Sequence, residues 1–247
     1  MKILVCIAQA PDTTAKISFT DNNTKFNKEG VTYIINPYDE WYALVKALEL
    51  KESGKATEVH LVSVGTNSAE AVMRKALALG GDQAFRINAE SEDTFEIAAQ
   101  IADFAKDKGY DLILTGKESI DYNNASVGAA IASALDYNYV GFATALDMEG
   151  DSVKLNREIE GGEETDTAIL PLVVSCQKGM SEPRIPNMRG IMAARTKPLT
   201  VVEPSAASAL TEIESYEMPP AKTGVKMFSI DQMDELVAAL HNEAKVI

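Results

Sequence analysis

The sequence predicts an α/β fold built on a mainly parallel, doubly wound sheet, with an extended C-terminal arm. Three observations carry this reading. Apolar runs of strand length, such as ILVCIA and DLILT, are continuous rather than alternating, the pattern of strands buried on both faces. Between them lie segments of helical period with capping residues at their ends. Through the first half the two kinds alternate as β-α-β-α-β-α, which implies parallel strands joined by right-handed crossovers.

Residues 2–8 form the first strand, and the polar, mixed segment 10–33 is a long loop or a hairpin. Asn36-Pro37-Tyr38-Asp39-Glu40 then marks a helix start. Asn suits the N-cap, Pro the first helical position and acids the first turn. This helix runs to about Glu52 and stops near Gly54. Residues 58–64 are the next strand, 65–68 a turn, and 69–79 a helix closed by Gly80-Gly81. Residues 84–87 make a short strand. Asp93 with Glu96 three residues on opens a helix reaching Lys108 and ended by Gly109. Residues 111–115 are another buried strand, followed by a polar loop and a small-residue helix at 125–135.

The second half changes character. Residues 140–146, 152–157 and 165–169 read as shorter strands, with a turn at Met148-Glu149-Gly150-Asp151. Residues 170–176 return to a buried-strand pattern. Pro183 and Pro186 flank an irregular loop, and a helix follows from Met188 to about Arg195. Domain organisation follows from composition: 1–202 is an α/β domain and 203–247 an arm. Residues 203–224, with Pro204, Pro219, Pro220 and Gly224, are a linker. Residues 229–240 are an amphipathic helix with a stripe of Met233, Leu236, Val237 and Leu240, fit to dock on another surface.

Composition excludes several function classes. The 23 basic residues against 37 acidic ones give a net charge of −14. That excess opposes non-specific nucleic-acid binding and docking on anionic membranes. No apolar run nears the roughly 18 residues that span a bilayer. The two cysteines, Cys6 and Cys176, sit in apolar runs and make no disulfide framework. The opening residues read as a strand rather than a signal peptide, so a reducing cytoplasm is the expected location. Phosphate-loop and dinucleotide glycine motifs are missing. The two histidines, His60 and His241, have no metal-ligand spacing, and no residues are set out for independent catalysis.

Two loops stand out. Gly116 to Gly128 leaves a buried strand and enters a helix rich in Ala, Gly and Ser. Ligands of open parallel sheets collect outside the carboxyl ends of strands, and helix N-termini suit anions. Asn123, Asn124 and Ser126 add donors, although simple capping explains the composition equally well. The other loop is Asn36 to Asp39. Both face the same end of the sheet, as does Val64-Gly65, and together they could enclose a nucleoside and its phosphate.

These residues resemble the beta (small) subunit of electron transfer flavoprotein. The similarity covers nearly the whole chain. It comprises KILVCIAQxPD at the start, INPYDE at 35–40, VSVG with KALALGGD at 62–82 and LTGKESID at 114–121. REIEGGEE with LPLVVS at 157–175, SEPRIPNMRGIMAA at 181–194 and KTGVK near the tail complete it. The resemblance implies an adenine-nucleotide-binding sheet of the alpha-hydrolase-like or Rossmann-like type. It implies a heterodimer with an alpha subunit that holds most of the site for a redox-active FAD, serving partner dehydrogenases and a downstream acceptor. It places a structural AMP against Cys6, Asn36, Pro37, Tyr38, Asp39, Val64, Gly116, Asp121, Asn123, Asn124, Ala125, Ser126 and Val127. Thr13 falls near the flavin, where the family often has an aromatic residue. A loop of Glu182, Pro183, Arg184, Met188 and Arg189 would dock dehydrogenases, with Met188 as the anchor. The family's bifurcating branch binds a second FAD and NAD(H), and commonly reads DGDT where this chain has Asp121-Tyr122-Asn123-Asn124; Tyr122 in the Gly position speaks against it. A stand-alone nucleotide-binding regulatory protein is the alternative from another class.

Overall fold

The continuous apolar runs become the centre of one sheet. The computed structural model describes residues 1–150, 152–221 and 224–247. In chain order the strands are β1 (Lys2–Cys6), β2 (Gln9–Pro11), β3 (Phe19–Thr20), β4 (Lys25–Phe26), β5 (Tyr33–Ile35), β6 (Glu58–Val64), β7 (Gln83–Ile87), β8 (Leu112–Gly116), β9 (Asn138–Glu149), β10 (Ser152–Ile159), β11 (Gly162–Ile169), β12 (Leu172–Cys176) and β13 (Leu199–Val202). The helices are α1 (Asp39–Glu52), α2 (Glu70–Leu79), α3 (Thr94–Ala105), α4 (Val127–Leu135), α5 (Met188–Ala194) and α6 (Met233–Ala239).

Nine strands order as β11-β10-β9-β12-β8-β1-β6-β7-β13 among the described residues. From β9 to β13 every pairing is parallel, and β10 and β11 add an antiparallel edge. Period-two alternation sorts the two cores. Ile3 and Val5 of β1 face α1 and α2 residues such as Leu44, Leu48, Met73 and Leu77. Leu4 and Cys6 face α3 and α4, among them Ile101, Phe104 and Ile131. Helices therefore cover both faces, as a doubly wound sheet requires.

The chain moves outward from β1 to β6 and β7, then returns to β1's other flank as β8. The strand order reverses there, and that is where the carboxyl ends of neighbouring strands open a crevice.

Some expectations are corrected. The hairpin reading of 10–33 holds for β3 with β4, and the segment is closed off by a further antiparallel ladder, β2 with β5, that the sequence reading lacked. The strands expected at 140–157 are longer, because β9 carries an extra residue between Val140 and Ala143 that lets it serve both β12 and β10. Of the expected 148–151 turn, Met148 and Glu149 end β9, and Asp151 lies outside the described residues. Lys222 and Thr223 of the KTGVK motif also lie outside them. β13, which the sequence reading missed, adds an edge beside β7.

Candidate functional site

A cleft of about 230 Å³ opens at the carboxyl ends of β1, β6 and β8. Cys6 and Val64 form part of its floor, and Gly116, Asp121, Asn124, Ala125, Ser126 and Val127 form one wall. Residues 89–92 and Thr94 face them, and Phe26, Lys28 and Tyr33 close the third side.

The β8–α4 wall ends in an uncapped helix start. Asn123 (φ 52°) and Ala125 (φ 49°) are both left-handed, and the Asn123 N–H donates to the Ser119 carbonyl at 2.8 Å. Ser126 begins α4 without a side-chain cap. The first N–H groups of a helix have no intrahelical partner, and here no side chain occupies them. Thr115 Oγ1 is buried without a hydrogen-bond partner among the described residues, and a Cβ on Gly128 would sit 2.8 Å from it. An orphaned hydroxyl and an uncapped helix start thus meet at one point of the cleft.

Asn36 does something other than the expected capping. The N-cap of α1 is Tyr38, at φ 69°, and Asp39 is the first helical residue. Asn36 is fully buried. Its Nδ2 donates to the Glu118 carbonyl at 2.8 Å, and its Oδ1 accepts from the Ile120 N–H at 3.0 Å. Asp39 Oδ2 accepts from the Glu118 N–H at 3.3 Å. These residues brace the β8–α4 loop from behind. Asn36, Pro37, Tyr38, Asp39 and Asn123 are not among the cleft's lining residues, and Thr13 is exposed on the turn after β2.

Sequence reasoning missed Glu40, which lines the cleft at 7% exposure and accepts from the Ala8 N–H at 2.5 Å. Burial pushes its carboxyl well above the usual carboxylate range. Burial also raises Asp121 and Asp39. Lys28, the cleft's cation on the hairpin side, is paired with Glu90. Asn124 Nδ2 donates to Thr94 Oγ1 at 2.9 Å, joining the loop to the start of α3. Asp93 caps α3 through the Glu96 N–H at 2.7 Å, as expected. Both cysteine thiols are buried, which raises them and keeps them from reacting.

Comparison with known proteins matches residues 23–207 to the electron transfer flavoprotein domain. The "Electron transfer flavoprotein subunit beta" of Bacillus subtilis is 37% identical over 262 residues, covering all of both chains. That of Syntrophomonas wolfei is 36% identical over 229 residues, 92% of this chain and 90% of the relative. The chain belongs to the electron transfer flavoprotein beta-subunit family. A relative named "Caffeyl-CoA reductase-Etf complex subunit CarD", from Acetobacterium woodii, is 31% identical over 259 residues, 99% of this chain and 98% of the relative.

In this beta-subunit family member, the loop 182–189 stands out from the surface on built supports. Arg184 holds Glu52 in a bidentate pair at 2.6 and 3.0 Å, and its carbonyl accepts from Trp41 Nε1 at 3.1 Å. Asn187 caps α5 through the Gly190 N–H at 2.8 Å. A Cβ at Gly190 would lie 2.2 Å from the Ala78 carbonyl oxygen, so only glycine lets α5 lie against the end of α2. Met188 is 72% exposed and Ile185 91%. A core-filling role for Met188 is thereby excluded.

The beta-subunit arm splits into two parts. Residues 205–216 run along the domain. Among the described residues, no hydrogen bond joins 224–247 to the rest. The expected tail helix is a 3₁₀ turn at Ile230–Gln232, then α6, then a wider turn at Leu240–Ala244. Met233 and Val237 of its apolar stripe remain exposed. None of the described helices is long and apolar enough to cross a membrane.

Proposed function

We propose that this chain is the small subunit of a heterodimeric electron transfer flavoprotein, and that its cleft holds a structural AMP. The observation that carries the nucleotide reading is the uncapped start of α4 beside the orphaned Thr115 hydroxyl. The phosphate would take the N–H groups of Ala125, Ser126 and Val127, with Asn124 and Thr115 beside it. The nucleoside would lie toward Cys6 and Val64. Asn36 and Asp39 would act behind this wall, holding the loop in register. Tyr122, in the position where the bifurcating branch has Gly, lines the cleft.

The redox-active FAD would sit mainly on the alpha subunit and supply one-electron chemistry when bound. Thr13, at the exposed turn after β2, would offer the flavin a hydroxyl rather than a stacking ring. The chain itself does no chemistry in this reading. The α/β domain, 1–202, carries the nucleotide, the arm, 203–247, grips the alpha subunit, and the 182–189 loop receives the dehydrogenase. The downstream acceptor takes electrons from the same flavin. A cytoplasmic location accords with this role.

The test is the ligand released by acid from the purified protein and the company it keeps. AMP, together with a yellow larger subunit in equal amount, supports the proposal. FAD at two per heterodimer would establish the bifurcating alternative, and a colourless, ligand-free monomer would leave the regulatory reading standing.

A further inference from the structure

Residues 205–216 run along the domain and are bonded to it at three stations. Gln100 of α3 clasps Ser205, accepting from its N–H at 2.8 Å and donating to its carbonyl at 3.2 Å. The Thr211 N–H donates to Asp93 Oδ2 at 3.0 Å, and its hydroxyl bonds the same carboxylate. Tyr216 makes the third station. Its N–H donates to the Asn23 carbonyl at 2.7 Å, and its ring stacks on Phe19 at 4.7 Å between centroids and 7° between planes. Its hydroxyl donates to Glu92 Oε2 at 3.3 Å.

Each of these last contacts leads into the cleft wall. Glu92 lines the cleft. Phe19 is the ladder partner of Phe26, which also lines it. The β3–β4 hairpin has only two residues per strand, too few to hold a position by itself. Lys28 follows that hairpin and reaches across to Glu90. One side chain from the arm therefore joins the hairpin wall to Glu92 of the facing wall, beside the Lys28–Glu90 pair.

We infer that Tyr216 is a positioning residue of the nucleotide site, a latch supplied by the arm that keeps the hairpin closed over the cleft. The inference rests on the nucleotide reading above. A bound mononucleotide leaves past the hairpin, so its release is limited by parting of the Tyr216 contacts. The first part of the arm thus belongs to the nucleotide site and the last part to the partner.

The experiment uses the purified full-length protein with its co-purifying subunit and labelled AMP as probe. Tyr216→Ala should speed AMP exchange about two- to twelvefold, the range set by loss of one aromatic pair. Tyr216→Phe keeps the stack and should restore most of the wild-type rate. Hydrogen–deuterium exchange at residues 19–28 and 90–93 should rise together in Tyr216→Ala. Unchanged AMP exchange in Tyr216→Ala overturns the inference, whether or not those segments loosen. Equal acceleration by Tyr216→Ala and Tyr216→Phe overturns the stacking latch. No AMP bound by wild type, with the paired loosening still seen in Tyr216→Ala, overturns the nucleotide reading and leaves the latch as a mechanical contact only.

Discussion

Replacing Asn36 by alanine removes two hydrogen bonds that close 82 and 84 residues of chain. Asn36 is fully buried, so nothing from solvent replaces its amide directly. Each bond is worth about 0.5–1.5 kcal/mol net, and an abandoned buried partner costs about 1–3 kcal/mol. Glu118 and Ile120 are half-buried, so water recovers part of that loss. The expected destabilisation is about 2–3 kcal/mol. Urea unfolding with and without saturating AMP measures it, because a ligand of the native state adds RT ln(1 + [L]/Kd). The loop that Asn36 braces forms the phosphate wall, so the increment that AMP adds should shrink as well. Asn36→Asp keeps an acceptor for the Ile120 N–H but sets a carboxylate oxygen against the Glu118 carbonyl, and should be no better than alanine. A loss under about 0.5 kcal/mol with the full AMP increment would refute the bracing role.

Glu40→Gln tests the buried carboxyl. Burial raises its folded-state value above the ordinary 4.5, so the folded protein holds that proton to higher pH than the unfolded chain. The charge cost is absent below the ordinary value and grows as pH rises through the folded one. Glutamine should therefore gain on wild type in urea melts between pH 5 and 8, and a pH-independent difference would sink the argument. Met188→Ala, at a 72% exposed position, should shift stability by less than about 0.5 kcal/mol yet slow electron transfer from a partner dehydrogenase several-fold. Stopped-flow rates with a chemical reductant in place of the dehydrogenase should be unaffected. Gly190→Ala should slow the same transfer and also destabilise by about 1–3 kcal/mol, since its methyl meets the Ala78 carbonyl and α5 must move. Deleting 225–247 should weaken the heterodimer in analytical ultracentrifugation and leave AMP in place, because no hydrogen bond ties that segment to the domain among the described residues.

How much of this was legible beforehand depends on how far each residue's reason lies from it in sequence. β1, β6 and β8 were legible because strands covered on both faces must be continuously apolar, whatever their neighbours are. Asp93 was legible because its cap partner is three residues away. Asn36 was misread for the opposite cause. Asn before Pro and two acids satisfies every local rule for a helix start, while its actual partners lie more than 80 residues on. Glu40 hid in the same way, as an acid in a first turn whose partner is the Ala8 N–H, between β1 and β2 and 32 residues away. The ladders of 10–33 were too short for periodicity to register.

The β8–α4 loop shows both sides at once. Asn123 could be flagged from composition, since Asn tolerates the left-handed region. Ala125 could not, because alanine there costs about 1 kcal/mol or more and no local rule predicts it. Such conformations persist where surrounding structure over-determines them, and they gather at ligand clamps. Here the bracing is supplied by Asn36 and Asp39 from behind and by the Asn124–Thr94 bond from the side. Asn36 and Asp39, which fix the loop from behind, are thus separate from the groups that would touch the phosphate. Substitutions in the first group should lower stability and affinity together, and those in the second should lower affinity alone.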